Sequence, residues 1–185
     1  MKKIITLFLI LALSTSLFAQ TKVGDVELPN ELTYTAATLK LSGYGIREKL
    51  WFDIYSAGLY MKSKSSNAES IMKADDDMGL RLHITSKLLS RSKLINAFEE
   101  GFVKSTKNTI APYRKRMDQF LSYMTEVNVG DIYDLVYEKG AGTHVYYKGK
   151  KLGVVEGHDF KQALFGIWLC DQPADSKLKN GLLGK

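Results

Sequence analysis

The stretch Gly43-Tyr-Gly-Ile-Arg-Glu-Lys-Leu-Trp-Phe-Asp-Ile-Tyr-Ser-Ala-Gly-Leu-Tyr60 carries the strongest structural signal in the chain. It lies within residues 35–61, where β-branched and aromatic residues predict two long strands. In this apolar surrounding Arg47 keeps its charge at any accessible pH and offers a planar fork of donors that fits a carboxylate. The combination predicts a pocket for an acidic, apolar molecule, and by itself it indicates no chemical reaction.

Residues 1–19 have the pattern of a secretory signal peptide. Lys2 and Lys3 give a positive start, residues 4–13 form an apolar run, and small residues follow. The apolar run is too short to span a bilayer comfortably and no later run is long enough, so we expect no stable membrane anchor after cleavage. Residues 20–185 are then expected to form one domain in the periplasm or outside the cell.

Composition and charge narrow the range of partners. The chain has 185 residues and a formal charge of +6, and its basic residues are scattered. The tightest basic cluster, residues 114–116, indicates a solvated helix face rather than a nucleic-acid contact. Cys170 is the only cysteine, so no internal disulfide forms, and its apolar neighbours predict a buried thiol. The three histidines lack metal-ligand spacing. We therefore expect no metal, cofactor or nucleic acid; the oligomeric state stays open.

Hydrophobic periodicity predicts the order strands, helix, strand, helices, meander, helices. Residues 20–29 are predicted to be extended. The predicted helices cover residues 66–74, 90–107, a segment opened by Pro112, 158–169 and 176–183, and the later strands cover residues 79–86, 131–139, 143–148 and 151–156. Ser90 and Asp175 are expected to cap the helices that follow them, and Trp168 is expected to lie in the core. This order is typical of an α+β fold with a large, mainly antiparallel sheet that helices cover on one face.

Five motifs, taken in order, resemble the chalcone isomerase family, most closely its exported bacterial branch. They are Gly43–Arg47, Ile54–Tyr60, Ala97–Phe102, Asp159–Trp168 and Pro173–Gly184. The resemblance implies the chalcone isomerase-like fold, with a ligand cleft between the sheet and the helical layer. It also implies a hairpin near residues 50–52, although no Gly, Asn or Pro signals a turn there. Without that hairpin, Arg47 and Tyr55 would lie about 26 Å apart along a strand.

The resemblance also assigns candidate site residues. Arg47 takes the place of the arginine that, in plant chalcone isomerases, steadies developing charge during ring closure. The family's other polar catalytic positions are occupied here by Tyr55, Leu94, Gly101 and Ile167, so most of that activity is expected to be lost. Non-catalytic plant relatives bind fatty acids and resemble this chain in pairing the arginine with a tyrosine. The resemblance thus implies that Arg47 and Tyr55 bind a carboxylate. The implied lining of an apolar, roomy tunnel for the tail is Leu94, Phe98, Gly101 and Ile167.

Three functions follow as hypotheses. The first is a non-catalytic periplasmic binding protein whose expected partner is a fatty acid or similar amphiphilic acid. The second is an intramolecular lyase or isomerase acting on a phenolic or enolisable substrate, with Arg47 as electrophile and Tyr55 as acid. The third is an envelope interaction protein whose cleft is vestigial. A purely structural alternative also stays open for each residue: Arg47 in an ion pair with Glu48 or Glu31, and Tyr55 as an ordinary strand aromatic.

Overall fold

The computed structural model describes residues 20–34 and 36–185, so the predicted signal peptide lies outside the described residues. The strands are β1 (Gln20–Val23), β2 (Val26–Pro29), β3 (Glu31–Leu32), β4 (Leu39–Lys49), β5 (Phe52–Met61), β6 (Met78–Ile84), β7 (Ile132–Glu138), β8 (Gly142–Tyr147) and β9 (Lys150–Val155). The helices are α1 (Ala68–Lys73), α2 (Arg91–Ser105), α3 (Arg114–Ser122), α4 (His158–Leu169) and α5 (Ser176–Leu182), with a 3-10 turn at Ala111–Tyr113.

Strands β3 to β9 form one antiparallel sheet in which every strand pairs with its neighbours in sequence. The predicted α+β architecture is confirmed. The main core lies between one face of this sheet and the helices, and its side chains alternate as the sequence predicts: on β6, Leu80, Leu82 and Ile84 are buried in it. Within residues 20–34 and 36–185, no helix is both long and apolar enough to cross a bilayer.

The opposite face of the sheet is covered by the N-terminal segment. Ser56 Oγ on β5 donates to the carbonyl oxygen of Val23 at 3.0 Å, and the Tyr60 hydroxyl donates to the carbonyl oxygen of Pro29 at 2.8 Å. A second, smaller apolar cluster forms on this side, with Tyr60 fully buried. The hairpin of β1 and β2, predicted only as an extended stretch, therefore closes the back of the sheet and leaves the other face to the helices.

The turn between β4 and β5 has two residues, Leu50 and Trp51, both in the left-handed region, with φ of 50° and 71°. Lys49 pairs with Phe52 directly across it. Positive φ at both central positions is the geometry of the tight hairpin turns that normally carry Asn and Gly. Two bulky residues hold this geometry here, which explains why residue propensity gave no turn signal.

Lys161 is a fully buried lysine on α4 that holds the C-terminal end of α1. Its Nζ donates to the carbonyl oxygens of Ile71, Met72 and Ala74 at 2.8, 2.9 and 2.7 Å. The last carbonyls of a helix have no partner inside the helix, and a cation at this end complements the helix dipole. One side chain therefore joins α1 to α4.

We expect Lys161→Met to lower the free energy of unfolding by roughly 2–3 kcal/mol near neutral pH, because buried carbonyls lose their donor. Burial lowers the pKa of Lys161 from 10.5 to about 8, against the opposing effect of Asp75 and Asp76. Between these values the unfolded chain binds more protons, so this group adds stability as pH rises. The gap between wild type and variant should widen from about pH 7.5 to about pH 9.5 in urea unfolding.

The matched control is Lys104→Met, which alters an exposed lysine on α2 that has no ion pair among the described residues. It should leave stability within about 0.5 kcal/mol of wild type at both pH values. A Lys161→Met effect that does not change with pH would contradict the lowered pKa.

Candidate functional site

Arg47 and Tyr55 face each other across the β4–β5 hairpin. They are direct cross-strand partners, and the register becomes irregular immediately afterwards, between Arg47 and Glu48. Directly opposed residues of an antiparallel pair project from the same face of the sheet. That face is the one against the helices, where Tyr55 is buried in the main core. The hairpin implied by the family resemblance brings the two residues together.

The two glycines before Arg47 let the C-terminal helix lie directly on β4. A Cβ built on Gly43 would lie 2.2 Å from the backbone oxygen of Leu182, and one built on Gly45 would lie 3.1 Å from Leu178 Cδ1. Any larger residue at Gly43 would push α5 away from the strand. The Gly-x-Gly-x-Arg motif thus sets the distance between the helix and the arginine.

Arg47 forms an ion pair with Asp175, the residue that precedes α5. Arg47 Nη1 donates to Asp175 Oδ2 at 3.1 Å, and the two side chains are 25% and 13% exposed. Asp175 Oδ1 accepts from the backbone N–H of Leu178 at 2.9 Å and so caps the helix. An ion pair of Arg47 was a structural alternative from the sequence, but the partner is neither Glu48 nor Glu31. Glu48 is bound by Lys177 instead.

Tyr55 hydrogen-bonds to a second residue of the site, Trp168 on α4. The indole Nε1 donates to the Tyr55 hydroxyl oxygen at 2.9 Å, and both side chains are buried. Burial raises the pKa of Tyr55, while the Trp168 hydrogen bond and the charge of Arg47 act in the opposite direction. The hydroxyl is therefore protonated at neutral pH. Among the described residues, none accepts the proton of this hydroxyl.

The four apolar candidates lie together between α2, α4 and the sheet. Leu94, Phe98, Gly101 and Ile167 are all buried. A Cβ built on Gly101 would lie 2.6 Å from Ile167 Cγ2, so the two helices make close contact at this point. The expectation of a roomy cleft beside Gly101 is wrong for this conformation, because Ile167 fills the space that the missing side chain leaves.

Two surface cavities in the described part of the chain are lined by none of the six candidate residues. The larger, about 750 Å³, lies outside the helical layer between α1, α2 and α4. Cys170 lines it and is half-buried, so the prediction of a buried thiol was wrong. No group of three or more His, Cys, Asp and Glu side chains suited to a metal ion is found among residues 20–34 and 36–185.

Sequence reasoning missed two residues of the site, Trp168 and Asp175. Both lie in motifs that carry the family resemblance, but Trp168 was interpreted as core and Asp175 as a helix cap. The structure confirms that Trp168 lies in the core and that Asp175 caps α5. The second role of each depends on how α4 and α5 pack against the hairpin, which local sequence patterns do not encode.

Comparison with known proteins identifies the family of the chain and a solved structure with a similar fold. The family described as chalcone isomerase-like matches residues 20–184. Among solved structures, the chain is similar to a fatty-acid binding protein of Arabidopsis thaliana, with a TM-score of 0.70 and 19% sequence identity over 85% of this chain and 91% of the other. No curated protein sequence gives a significant match. At this identity the structural match establishes the fold.

We expect Tyr55→Phe to lower the free energy of unfolding by about 1–3 kcal/mol, because it leaves the buried Trp168 N–H without an acceptor. Trp168→Phe removes that donor, so the double variant should lose about 1 kcal/mol less than the sum of the single variants. Urea unfolding of the four proteins measures this coupling. Trp51→Phe, at an exposed position, is the control and should be additive with Tyr55→Phe. Additivity of the Tyr55 and Trp168 variants would contradict the hydrogen bond.

Proposed function

We propose, from the fact that the chain belongs to the chalcone isomerase-like family, that it binds a fatty acid or a similar amphiphilic carboxylate without converting it. The fold it shares with an Arabidopsis thaliana fatty-acid binding protein supports this proposal. The observation that carries it is the ion pair of Arg47 with Asp175. In that pair a carboxylate already occupies the guanidinium at a largely buried position, and a ligand carboxylate offers the same chemistry.

In the proposed complex the ligand carboxylate replaces Asp175 Oδ2 on Arg47 and accepts the Tyr55 hydroxyl proton. Hydrogen bonds between charged partners are stronger than neutral ones, and the low exposure of Tyr55 and Asp175 reduces screening by water. Asp175 still caps α5 through its other oxygen. The exchange therefore substitutes one carboxylate for another and leaves the helix in place.

The hydrocarbon tail requires a movement of the helical layer. Leu94, Phe98 and Ile167 pack closely, so the tail enters only if Ile167 rotates or α4 separates from α2 at Gly101. Burying each methylene group of a tail contributes about 0.8 kcal/mol, and several such groups offset the lost side-chain contacts. The absence of a side chain at Gly101 makes this the position where the helices part at least cost.

We further propose that the protein acts outside the cytoplasm, in the periplasm or beyond it. The support is the pattern of residues 1–19, with its positive start and short apolar run. A fatty acid is poorly soluble in water, and a carrier located there would hold it in solution between membranes or deliver it to an enzyme of the envelope.

One observation favours a second candidate function, that of an interaction protein with a vestigial cleft. Arg47 has a partner already, and the space beside Gly101 is filled. If these features persist in the presence of a ligand, the site has no remaining capacity to bind. Both candidates predict a stable fold, and ligand binding separates them.

We expect wild-type protein, stripped of lipid, to bind palmitate in isothermal titration calorimetry. Arg47→Gln should weaken binding by roughly tenfold to a hundredfold, the equivalent of one charge-assisted hydrogen bond. Asp175→Asn keeps the helix cap but removes the competing charge, so it should tighten binding by roughly twofold to fivefold.

The control is Arg114→Gln on α3, which removes an arginine exposed to solvent and should not change affinity. If neither the wild type nor the Arg47→Gln and Asp175→Asn variants bind palmitate, the interaction protein is favoured. Turnover of a chalcone that falls sharply in Arg47→Ala would instead favour an isomerase, with Arg47 as electrophile and Tyr55 as acid.

A further inference from the structure

At one end of the seven-stranded sheet, the β4–β5 turn carries three consecutive exposed apolar residues. Leu50, Trp51 and Phe52, which we call the hairpin tip, are 77%, 99% and 57% exposed. The indole of Trp51 therefore has almost its whole surface in water. Large apolar side chains that occur singly on a surface need no explanation, but a contiguous group indicates an interaction site.

Two more exposed apolar residues lie at the same end of the sheet. Thr85 N donates to the carbonyl oxygen of Ile54 at 3.1 Å, which places the loop with exposed Leu88 beside the base of the hairpin. Gly130 N donates to the carbonyl oxygen of Ile84 at 2.9 Å, which places exposed Val129 next in line. We call the hairpin tip together with Leu88 and Val129 the apical end.

The backbone of the turn does not explain why apolar residues occupy it. Both Leu50 and Trp51 have positive φ, where Asn and Gly are favoured and where bulky side chains carry a conformational cost. Neither side chain contributes to the core. Leu50 and Trp51 are therefore unfavourable for the turn and add nothing to the core. Contact with a partner outside the molecule would explain why apolar residues occupy these positions.

The charged residues around the apical end indicate which class of partner it fits. Lys49, Lys87 and Lys150 are exposed and have no ion pair among the described residues. Lys150 reaches this end because the β8–β9 turn lies on the same side of the sheet as the β4–β5 turn. Asp53 and Glu126 are exposed carboxylates at the same end, and the three lysines outnumber them. Aromatic and aliphatic side chains surrounded by lysines are complementary to a bilayer surface that contains anionic lipids.

We propose that the apical end docks the protein onto anionic membranes, with Trp51, Leu50 and Phe52 inserted at the interface and the lysines at the head groups. A projecting turn suits insertion between lipid head groups, whereas a protein partner for it would need a matching pocket. This proposal does not depend on ligand binding. If the proposed function also holds, docking brings the ligand site close to the lipid, since Arg47 lies three residues before Leu50, about 10 Å along the strand.

The test uses vesicles of phosphatidylcholine with about 30% phosphatidylglycerol, an anionic fraction that creates a negative surface potential. We expect wild-type protein to sediment with them. Trp51 fluorescence should shift to the blue and be quenched by brominated lipid, while the buried Trp168 should stay unquenched. Replacing each of Lys49, Lys87 and Lys150 by Gln should lower partitioning by about fivefold per lysine.

The decisive variant is Leu50→Asn/Trp51→Gly, which supplies the residues that this turn prefers. It should unfold at a higher temperature than wild type, yet partition into vesicles at least about tenfold more weakly, so loss of binding is separated from loss of fold. Val103→Ser, at an exposed apolar position of α2, is the control and should bind as wild type does.

Three outcomes would overturn the proposal. The first is wild-type protein that does not sediment with the vesicles, and the second is full binding by Leu50→Asn/Trp51→Gly. The third is sedimentation equilibrium that shows a dimer of the wild type which this variant abolishes, without vesicle binding. That result would assign the apical end to a second copy of the chain.

Discussion

The candidate site depends on the tight β4–β5 hairpin turn at Leu50 and Trp51. The two-residue turn pairs Lys49 with Phe52, and the irregularity between Arg47 and Glu48 then shifts the register by one residue, so that Arg47 pairs with Tyr55 instead of Ile54. Side chains alternate between the faces of a strand, so a slip of one residue would turn one of the pair away from the helices. The position of the guanidinium beside α4 and α5 is thus a consequence of a turn without glycine and of the register shift next to it.

Two helices supply the polar contacts that hold Arg47 and Tyr55 in place. Asp175 joins the first turn of α5 to Arg47, and Trp168 joins α4 to Tyr55. Both contacts link a helix to the sheet through a polar group at the edge of an apolar core. Such polar groups are costly to bury without partners, so each fixes the position of its helix. In the proposed complex a carboxylate ligand would exchange or extend these same two contacts, so its binding would be coupled to the packing of the helical layer.

The sequence predicted the helices and most strands because their apolar residues recur with the period of each element, as in the alternation of Leu80, Leu82 and Ile84. Ser90 and Asp175 also marked two helix starts correctly. Three features escaped local reasoning. The hairpin turn opposes residue propensity, and only the family resemblance implied it. The filling of the space beside Gly101 by Ile167, and the pairing of Arg47 with Asp175, depend on contacts between residues far apart in the chain.

The sequential order of strands β3 to β9 has a consequence for how the molecule assembles. Strands that are neighbours in the sheet are neighbours along the chain, so most pairings close short loops at low entropic cost. The longest closure is the pairing of β6 with β7, which are separated by α2 and α3. That long closure divides the sheet into two locally formed halves, one of them centred on the β4–β5 hairpin. Because this closure has the largest entropic cost, we expect the union of the two halves to be the slowest step of folding.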